Sequence, residues 1–176
     1  CGADLGLAFD GDADRCFAVD ERGELISPSD VTALIAAAEL QRNPGATVIH
    51  NLITSAAVPE VIRENGGTPV VTRVGHSFIK ARMAETGAVF GGEHSGHFYF
   101  RDFWRADSGM LAALHVLSRL SNTPDGTTAS ELLAPYERIG YPLIWLSLFN
   151  DRDLASLSTR LVGETTVKTP ADRLND

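Results

Sequence analysis

Short apolar runs alternate with helix-like segments along most of this 176-residue chain, and this alternation constrains the fold more than any other feature. Strands are predicted at residues 47–50, 69–72, 88–90 and 97–100. Helices are predicted at residues 55–65, 77–85, 107–120 and 130–136, and another opens at residues 27–30. Successive strand–helix–strand units predict an α/β fold with a mainly parallel sheet and helices on both faces.

The first 23 residues differ from this pattern. Residues 5–9 and 16–19 are strand-like and flank an acidic loop, which predicts a β-hairpin left over from a preceding domain. We therefore divide the chain into a remnant at 1–23, an α/β domain at 24–136 and a divergent tail of unknown role at 137–176. Because Cys1 stands where a Met would begin a natural chain, we expect this to be a fragment of a longer protein.

Composition and charge limit the possible partners. The net charge of −8 argues against a nucleic-acid or acidic-membrane partner, because both require basic surfaces. The chain has two cysteines, too few for a disulfide framework, so we expect a reduced, cytoplasmic protein.

The acidic loop carries three alternating aspartates, Asp10, Asp12 and Asp14, directly after an apolar run. Neighbouring carboxylates repel one another unless a cation lies between them, and hard oxygen ligands suit Mg²⁺. Arg15 follows, and its guanidinium is suited to binding a phosphate. Two alternatives are a solvated acidic turn and an EF-hand calcium loop in which Glu21 is the twelfth position, although that loop also requires flanking helices.

A second polar loop lies at residues 91–97. Glu93, Ser95 and His97 alternate along it, so in an extended conformation all three side chains point the same way. A carboxylate beside a hydroxyl can bind vicinal sugar hydroxyls, and His97 can move a proton near neutral pH. His94 points the opposite way and is predicted to be structural. The alternative is a turn with incidental polar residues.

A third segment lies at a predicted strand-to-helix junction, where free backbone amides favour an anion. Arg73 and His76 add cationic donors there. The alternative is a helix capped by Ser77 with a surface arginine.

Taken together, the DGDADR loop, the VGHS segment and the GEHSGH loop resemble the α-D-phosphohexomutases, in particular the phosphomannomutase/phosphoglucomutase branch. The resemblance covers residues 1–136, corresponding to the end of domain 2 and domain 3. It implies an enzyme of carbohydrate metabolism, an isomerase acting by intramolecular phosphotransfer. Hexose 1-phosphate and hexose 6-phosphate interconvert in this family through a phosphoserine and a bisphosphate intermediate.

The resemblance also implies roles for individual residues. Asp10, Asp12 and Asp14 are the expected Mg²⁺ ligands. Arg15 is expected beside the transferred phosphoryl group, and Arg15 and His97 are the candidate catalytic residues.

Binding of the substrate, mannose or glucose 1- or 6-phosphate, is implied for a further set of residues. These are Glu93, Ser95, His97, Arg73 and His76.

Two family elements are not recognisable in this sequence, the phosphoserine loop and the C-terminal phosphate-binding loop. The resemblance therefore implies that the missing domains of a full-length enzyme are partners, and that the isolated chain is inactive. Ile53 also stands where a lysine is common. The alternatives are a non-catalytic module that binds Ca²⁺ or Mg²⁺ and a truncated gene product.

Overall fold

The computed structural model describes residues 2–137, all of which belong to one compact unit. The predicted tail therefore lies outside the described residues, apart from Glu137. The strands are β1 Gly6–Phe9, β2 Cys16–Val19, β3 Leu25–Ile26, β4 Thr47–Asn51, β5 Thr68–Thr72, β6 Phe90–Gly92, β7 Phe98–Phe100 and β8 Ala106–Asp107. The helices are α1 Pro28–Arg42, α2 Ala57–Glu64, α3 His76–Thr86, α4 Gly109–Ser121 and α5 Ala129–Leu133, followed by a 3₁₀ turn, Ala134–Tyr136.

The strands form two sheets. The first is antiparallel with the order β1-β2-β3, and the second has the order β5-β4-β6-β7-β8. In the second sheet β4 runs parallel to β5 and β6, whereas β7 and β8 are added antiparallel. The α/β prediction is confirmed, and the sheet is mixed, with a parallel part and an antiparallel edge.

The five-stranded sheet has helices on both faces, as predicted. Alternate residues of a strand point to opposite faces, and Val48 and Ile49 of β4 belong to different hydrophobic clusters. Val48 packs with residues of α1, α2 and α4, whereas Ile49 packs with Ile79 and Met83 of α3. The core containing Val48 also includes residues of β2, so the first sheet and the α/β layer share one hydrophobic interior.

Helix α1 is buried on almost every side. It begins after Ser27, whose hydroxyl accepts a hydrogen bond from the backbone N–H of Ser29, and it ends at Asn43. Both boundaries match the sequence pattern. The helix lies close to β6, and glycine at position 92 makes this possible. A Cβ added to Gly92 would come within 2.4 Å of the Thr32 side chain.

Some predicted boundaries were wrong. The strand predicted at 88–90 lies at Phe90–Gly92, and the helix predicted from residue 107 begins at Gly109 because Ala106–Asp107 forms β8. Strand β3, which our division assigns to the α/β domain, pairs with β2. Among the described residues, no helix is long and apolar enough to cross a membrane.

Candidate active site

The acidic loop connects β1 to β2, and the two strands hold its ends together through the pair Phe9 and Cys16. A backbone hydrogen bond of 3.2 Å from Ala13 to Asp10 tightens the turn, and Ala13 takes a positive φ of 59°. Each of the three aspartates offers one carboxylate oxygen, and these oxygens lie within 4.8 Å of one another. The loop therefore brings the three predicted metal ligands together.

Arg15 organises one end of this loop. Its Nε lies 2.6 Å from Oδ2 of Asp10, and its backbone N–H donates to Oδ1 of the same carboxylate at 3.2 Å. The hydrogen bond from the Arg15 side chain is the main cause that lowers the pKa of Asp10. Asp10 is thereby held in its charged form, which a cation requires.

Asp14 has a different environment. Burial, followed by the charges of Asp10 and Asp12, raises the pKa of its carboxyl group above the ordinary value. Its Oδ1 is buried and has no hydrogen-bond partner. A buried carboxylate oxygen without a partner is costly, and a cation bound between the three carboxylates would satisfy it. The residues present therefore fit a small divalent cation with oxygen ligands.

The EF-hand alternative does not fit the structure. Strands, not helices, flank the acidic loop. Glu21, which would be the twelfth ligand, accepts hydrogen bonds from the Ser130 hydroxyl at 2.6 Å and from the Ser130 backbone N–H at 3.2 Å. These bonds tie it to helix α5 instead of the acidic loop.

The second polar loop joins β6 to β7 as a closed turn. The N–H of Gly96 donates to the carbonyl of Glu93 at 3.1 Å, and the N–H of Glu93 donates to the carbonyl of His97 at 3.0 Å. The assumption of an extended loop, with three side chains on one side, was therefore wrong. Ser95 is half-buried at the turn, and the exposed His94 has its Nδ1 2.9 Å from the Ser29 hydroxyl.

Glu93 is only 1% exposed. Its Oε1 accepts hydrogen bonds from the Asn51 side chain at 3.0 Å and from the Gly75 N–H at 3.1 Å. Its Oε2 accepts one from the Tyr99 hydroxyl at 2.9 Å. The carboxylate therefore connects β4, the segment before α3 and β7 at the edge of the sheet where the predicted site lies.

The two polar loops contact each other directly. The N–H of Cys16 donates to the carbonyl of Gly96 at 3.1 Å, and Arg15 forms an antiparallel β-bridge with His97. Gly96 has a φ of +88°, and an added Cβ would come within 3.1 Å of the Phe17 ring. This contact fixes the predicted metal loop beside the predicted sugar loop.

A network of polar side chains surrounds His97. Its Nδ1 lies 3.0 Å from Oδ2 of Asp107, and Nδ1 of His76 lies 3.1 Å from the same oxygen. Lys80 Nζ lies 3.1 Å from Oδ1 of Asp107, and the Tyr99 hydroxyl lies 3.0 Å from Nδ1 of His76. Burial opposes the charge of Asp107, but hydrogen bonds from the backbone and from Lys80 outweigh it and lower its pKa.

His76, His97 and Glu93 were predicted from the sequence, but the residues that hold them were not. Asp107 was assigned to the start of a helix, and no local motif marks Lys80, Tyr99 or Asn51. One signal was available for Tyr99. It lies two residues beyond His97, so in an extended strand the two side chains point to the same face.

Arg73, like Ser95, is a predicted site residue for which we find no contact with this network. It is exposed, and its guanidinium lies over the Phe78 ring, 4.8 Å from the ring centre. Helix α3 begins at His76, with Gly75 rather than Ser77 at the capping position.

Comparison with known proteins identifies the relatives of this fold and site. Residues 28–139 match the family model of phosphoglucomutase/phosphomannomutase, alpha/beta/alpha domain III. The phosphomannomutase of Escherichia coli K12 is 50% identical over 115 residues, which is 65% of this chain and 25% of that protein. The phosphomannomutase of Vibrio cholerae is 47% identical over 123 residues, 70% of this chain and 27% of that protein.

A solved structure agrees with these matches. A phosphoglucomutase/phosphomannomutase family protein from Burkholderia thailandensis superimposes with a TM-score of 0.72 and 37% identity, over 78% of this chain and 30% of that one. The chain thus spans about a quarter of the length of the curated relatives. On these matches, this chain belongs to the phosphoglucomutase/phosphomannomutase family.

Proposed function

We propose that this chain is the metal-binding and sugar-binding part of a Mg²⁺-dependent hexose-phosphate mutase. The observation that carries the proposal is the direct backbone contact between the two polar loops. Arg15 forms a β-bridge with His97, and the N–H of Cys16 donates to the carbonyl of Gly96. A phosphoryl group beside the aspartates would lie next to a hexose held by the second loop. The names of the curated relatives support the same reaction class.

In this proposal Asp10, Asp12 and Asp14 hold Mg²⁺, which when bound neutralises charge on the transferring phosphoryl group. The guanidinium of Arg15 is half-exposed and charged. It can therefore turn from Asp10 and bind the phosphoryl oxygens. Oδ1 of Asp14, which has no hydrogen-bond partner and lies 3.9 Å from Nε of Arg15, is the ligand atom that gains most from the cation.

The remaining cleft residues orient the sugar and move a proton. An ionised Asp107 accepts a hydrogen bond from Nδ1–H of His97, which leaves Nε2 as the nitrogen that takes or gives a proton. As a phosphoserine passes its phosphoryl group to a sugar hydroxyl, that hydroxyl loses its proton to a base, and the serine oxygen regains one. His97 is the candidate for the proton on the sugar side.

Glu93 and Ser95 are proposed to bind sugar hydroxyls, with His76 and Arg73 binding the substrate's phosphate end. Glu93 accepts three hydrogen bonds within the chain, which hold its carboxylate in one orientation. The group is therefore preorganised, and because its side chain is buried, a sugar hydroxyl binds it by replacing one of these donors.

A phosphoserine donor and a second phosphate-binding loop are expected from the missing domains, so we propose that the isolated chain does not turn over. The full chain, incubated with mannose 1-phosphate, Mg²⁺ and a hexose bisphosphate, is expected to give no mannose 6-phosphate. Sustained isomerisation would contradict the claim that a serine outside this sequence carries the phosphate.

Binding tests the proposed site directly. Calorimetric titration of glucose 1,6-bisphosphate into the full chain is expected to show weak binding that depends on Mg²⁺. Asp12→Asn should weaken it at least tenfold, whereas Asp125→Asn, the same charge change at an exposed position, should leave it unchanged. Bisphosphate binding that is the same without Mg²⁺ and in Asp12→Asn would refute the site. Tight, Ca²⁺-selective binding without sugar phosphate would favour a non-catalytic cation module. The cytoplasmic location remains a prediction from the cysteine content.

A further inference from the structure

Two histidines and an aspartate converge at the edge of the acidic loop. His76 is the first residue of α3, His97 immediately precedes β7, and Asp107 ends β8. One ligand atom from each lies within 4.8 Å of the others. The Asp107 side chain is only 8% exposed and that of His97 11% exposed, so elements of the fold hold these two groups in place.

The distances resemble those between ligands of one metal ion. Oδ2 of Asp107 lies 3.0 Å from Nδ1 of His97 and 3.1 Å from Nδ1 of His76. Ligands about 2.0–2.2 Å from a metal are separated by roughly 2.8–3.1 Å at octahedral angles and by roughly 3.3–3.6 Å at tetrahedral angles, so these distances match octahedral coordination. We propose that His76, His97 and Asp107 form a second cation site, selective for a transition-metal ion such as Zn²⁺ or Co²⁺.

The ligand types distinguish this site from the acidic loop. Imidazole nitrogens favour Zn²⁺ and Co²⁺, whereas a site made only of carboxylates favours Mg²⁺. Excess Mg²⁺ therefore occupies the three aspartates without displacing an ion held by the two imidazoles.

The surroundings can support a divalent ion. Lys80 contacts the other carboxylate oxygen, Oδ1 of Asp107, and orients the group while leaving Oδ2 to the ion. The positive charge of Lys80 opposes the ion, and the negative charge of the Asp107 carboxylate, which Lys80 contacts, offsets it.

Occupancy of this site would remove both histidines from the substrate cleft, so the metal would act as an inhibitor. This consequence rests on the proposed function, but the binding does not. The two can therefore fail separately, since metal binding is measured in the full chain without any mutase assay.

The test is a titration of the full chain with Co²⁺ in millimolar Mg²⁺, followed by visible absorption and by the NMR signals of the histidine rings. We expect one Co²⁺ to bind and to broaden the signals of His76 and His97. His76→Ala should weaken this binding at least tenfold, and His76 is half-exposed, which favours a folded variant. Asp107→Asn should do the same with little change in side-chain shape.

His94→Ala is the matched control, because His94 is an exposed histidine of the neighbouring turn and is not part of the cluster. It should bind Co²⁺ as the unchanged chain does, and so should Asp12→Asn. Equal Co²⁺ affinity in His76→Ala, Asp107→Asn and the unchanged chain would overturn the proposal. So would loss of Co²⁺ in excess Mg²⁺ or in Asp12→Asn, since the ion would then lie on the acidic loop.

Discussion

Replacement of Gly109 by alanine tests how the acidic loop is held against helix α4. Gly109 begins the helix, and its N–H donates to the carbonyl of Ala13 at 3.1 Å. A Cβ at this position would lie 2.4 Å from the carbonyl oxygen of Arg15 and 2.9 Å from that of Ala13. Both obstructing atoms belong to the backbone, so no side-chain rotation can relieve the contact.

The size of the effect follows from the shift that is needed. Ordinary contacts of a Cβ begin near 3.4 Å, so the loop and the helix must separate by about 1 Å. Helix α4 cannot move freely, because Ala112, Ala113 and Val116 are buried against the core. Overpacking of this kind costs about 1–3 kcal/mol, and the better helix propensity of alanine returns less than about 1 kcal/mol. We expect the free energy of unfolding to fall by about 2 kcal/mol.

Urea unfolding of the full chain measures this loss, which corresponds to a midpoint lower by on the order of 1 M. Gly11→Ala is the matched control, because Gly11 lies in the same loop, has ordinary φ and would have nothing within 4 Å of an added Cβ. It should change stability by less than about 0.5 kcal/mol. Mn²⁺ binding to the three aspartates should weaken in Gly109→Ala. Unfolding and Mn²⁺ curves identical to those of the unchanged chain would refute the idea that this contact positions the loop.

Three further substitutions probe buried polar groups. Burial raises the pKa of Asp30 to about 7, so between about pH 4 and pH 7 the folded chain holds a proton that the unfolded chain releases. The free energy of unfolding should therefore fall as pH rises through that window, by at most about 1.4 kcal/mol per pH unit from this group. Asp30→Asn should make the fall in the urea midpoint with pH less steep. The same slope of midpoint against pH in the variant and the unchanged chain would contradict this. Tyr99→Phe leaves one oxygen of Glu93 without its donor and should cost about 1–3 kcal/mol in urea unfolding, whereas Tyr136→Phe, at a half-buried position, should cost less; equal losses would count against the network. Glu93→Gln places an amide N–H₂ against groups that already donate, so it should lower the thermal midpoint, and an unchanged midpoint would show that the carboxylate is not held as described.

The elements with strong local signals were predictable. Helix α1 has a serine cap and an Asn-Pro-Gly end, and strand β4 follows that break with the β-branched residues Thr47, Val48 and Ile49, so each was placed within a residue or two. Strand β6 was misplaced, because Gly91 and Gly92 are poor strand formers and resemble loop residues. Gly92 packs against Thr32 of α1 and Gly91 against Ile79 of α3, and no local pattern contains these contacts.

The predicted site residues illustrate a further limit. Alternation gives the direction of a side chain only where the backbone is extended, and the turn from Glu93 to Gly96 breaks that condition. Glu93 is therefore held inside the sheet edge by Asn51 and Tyr99, 42 residues before it and 6 residues after it. A motif identifies the groups that carry chemistry, because their types and spacing are local. The groups that hold them, such as Asp107 beside His97, are set by tertiary contacts, so a structure is needed to find them.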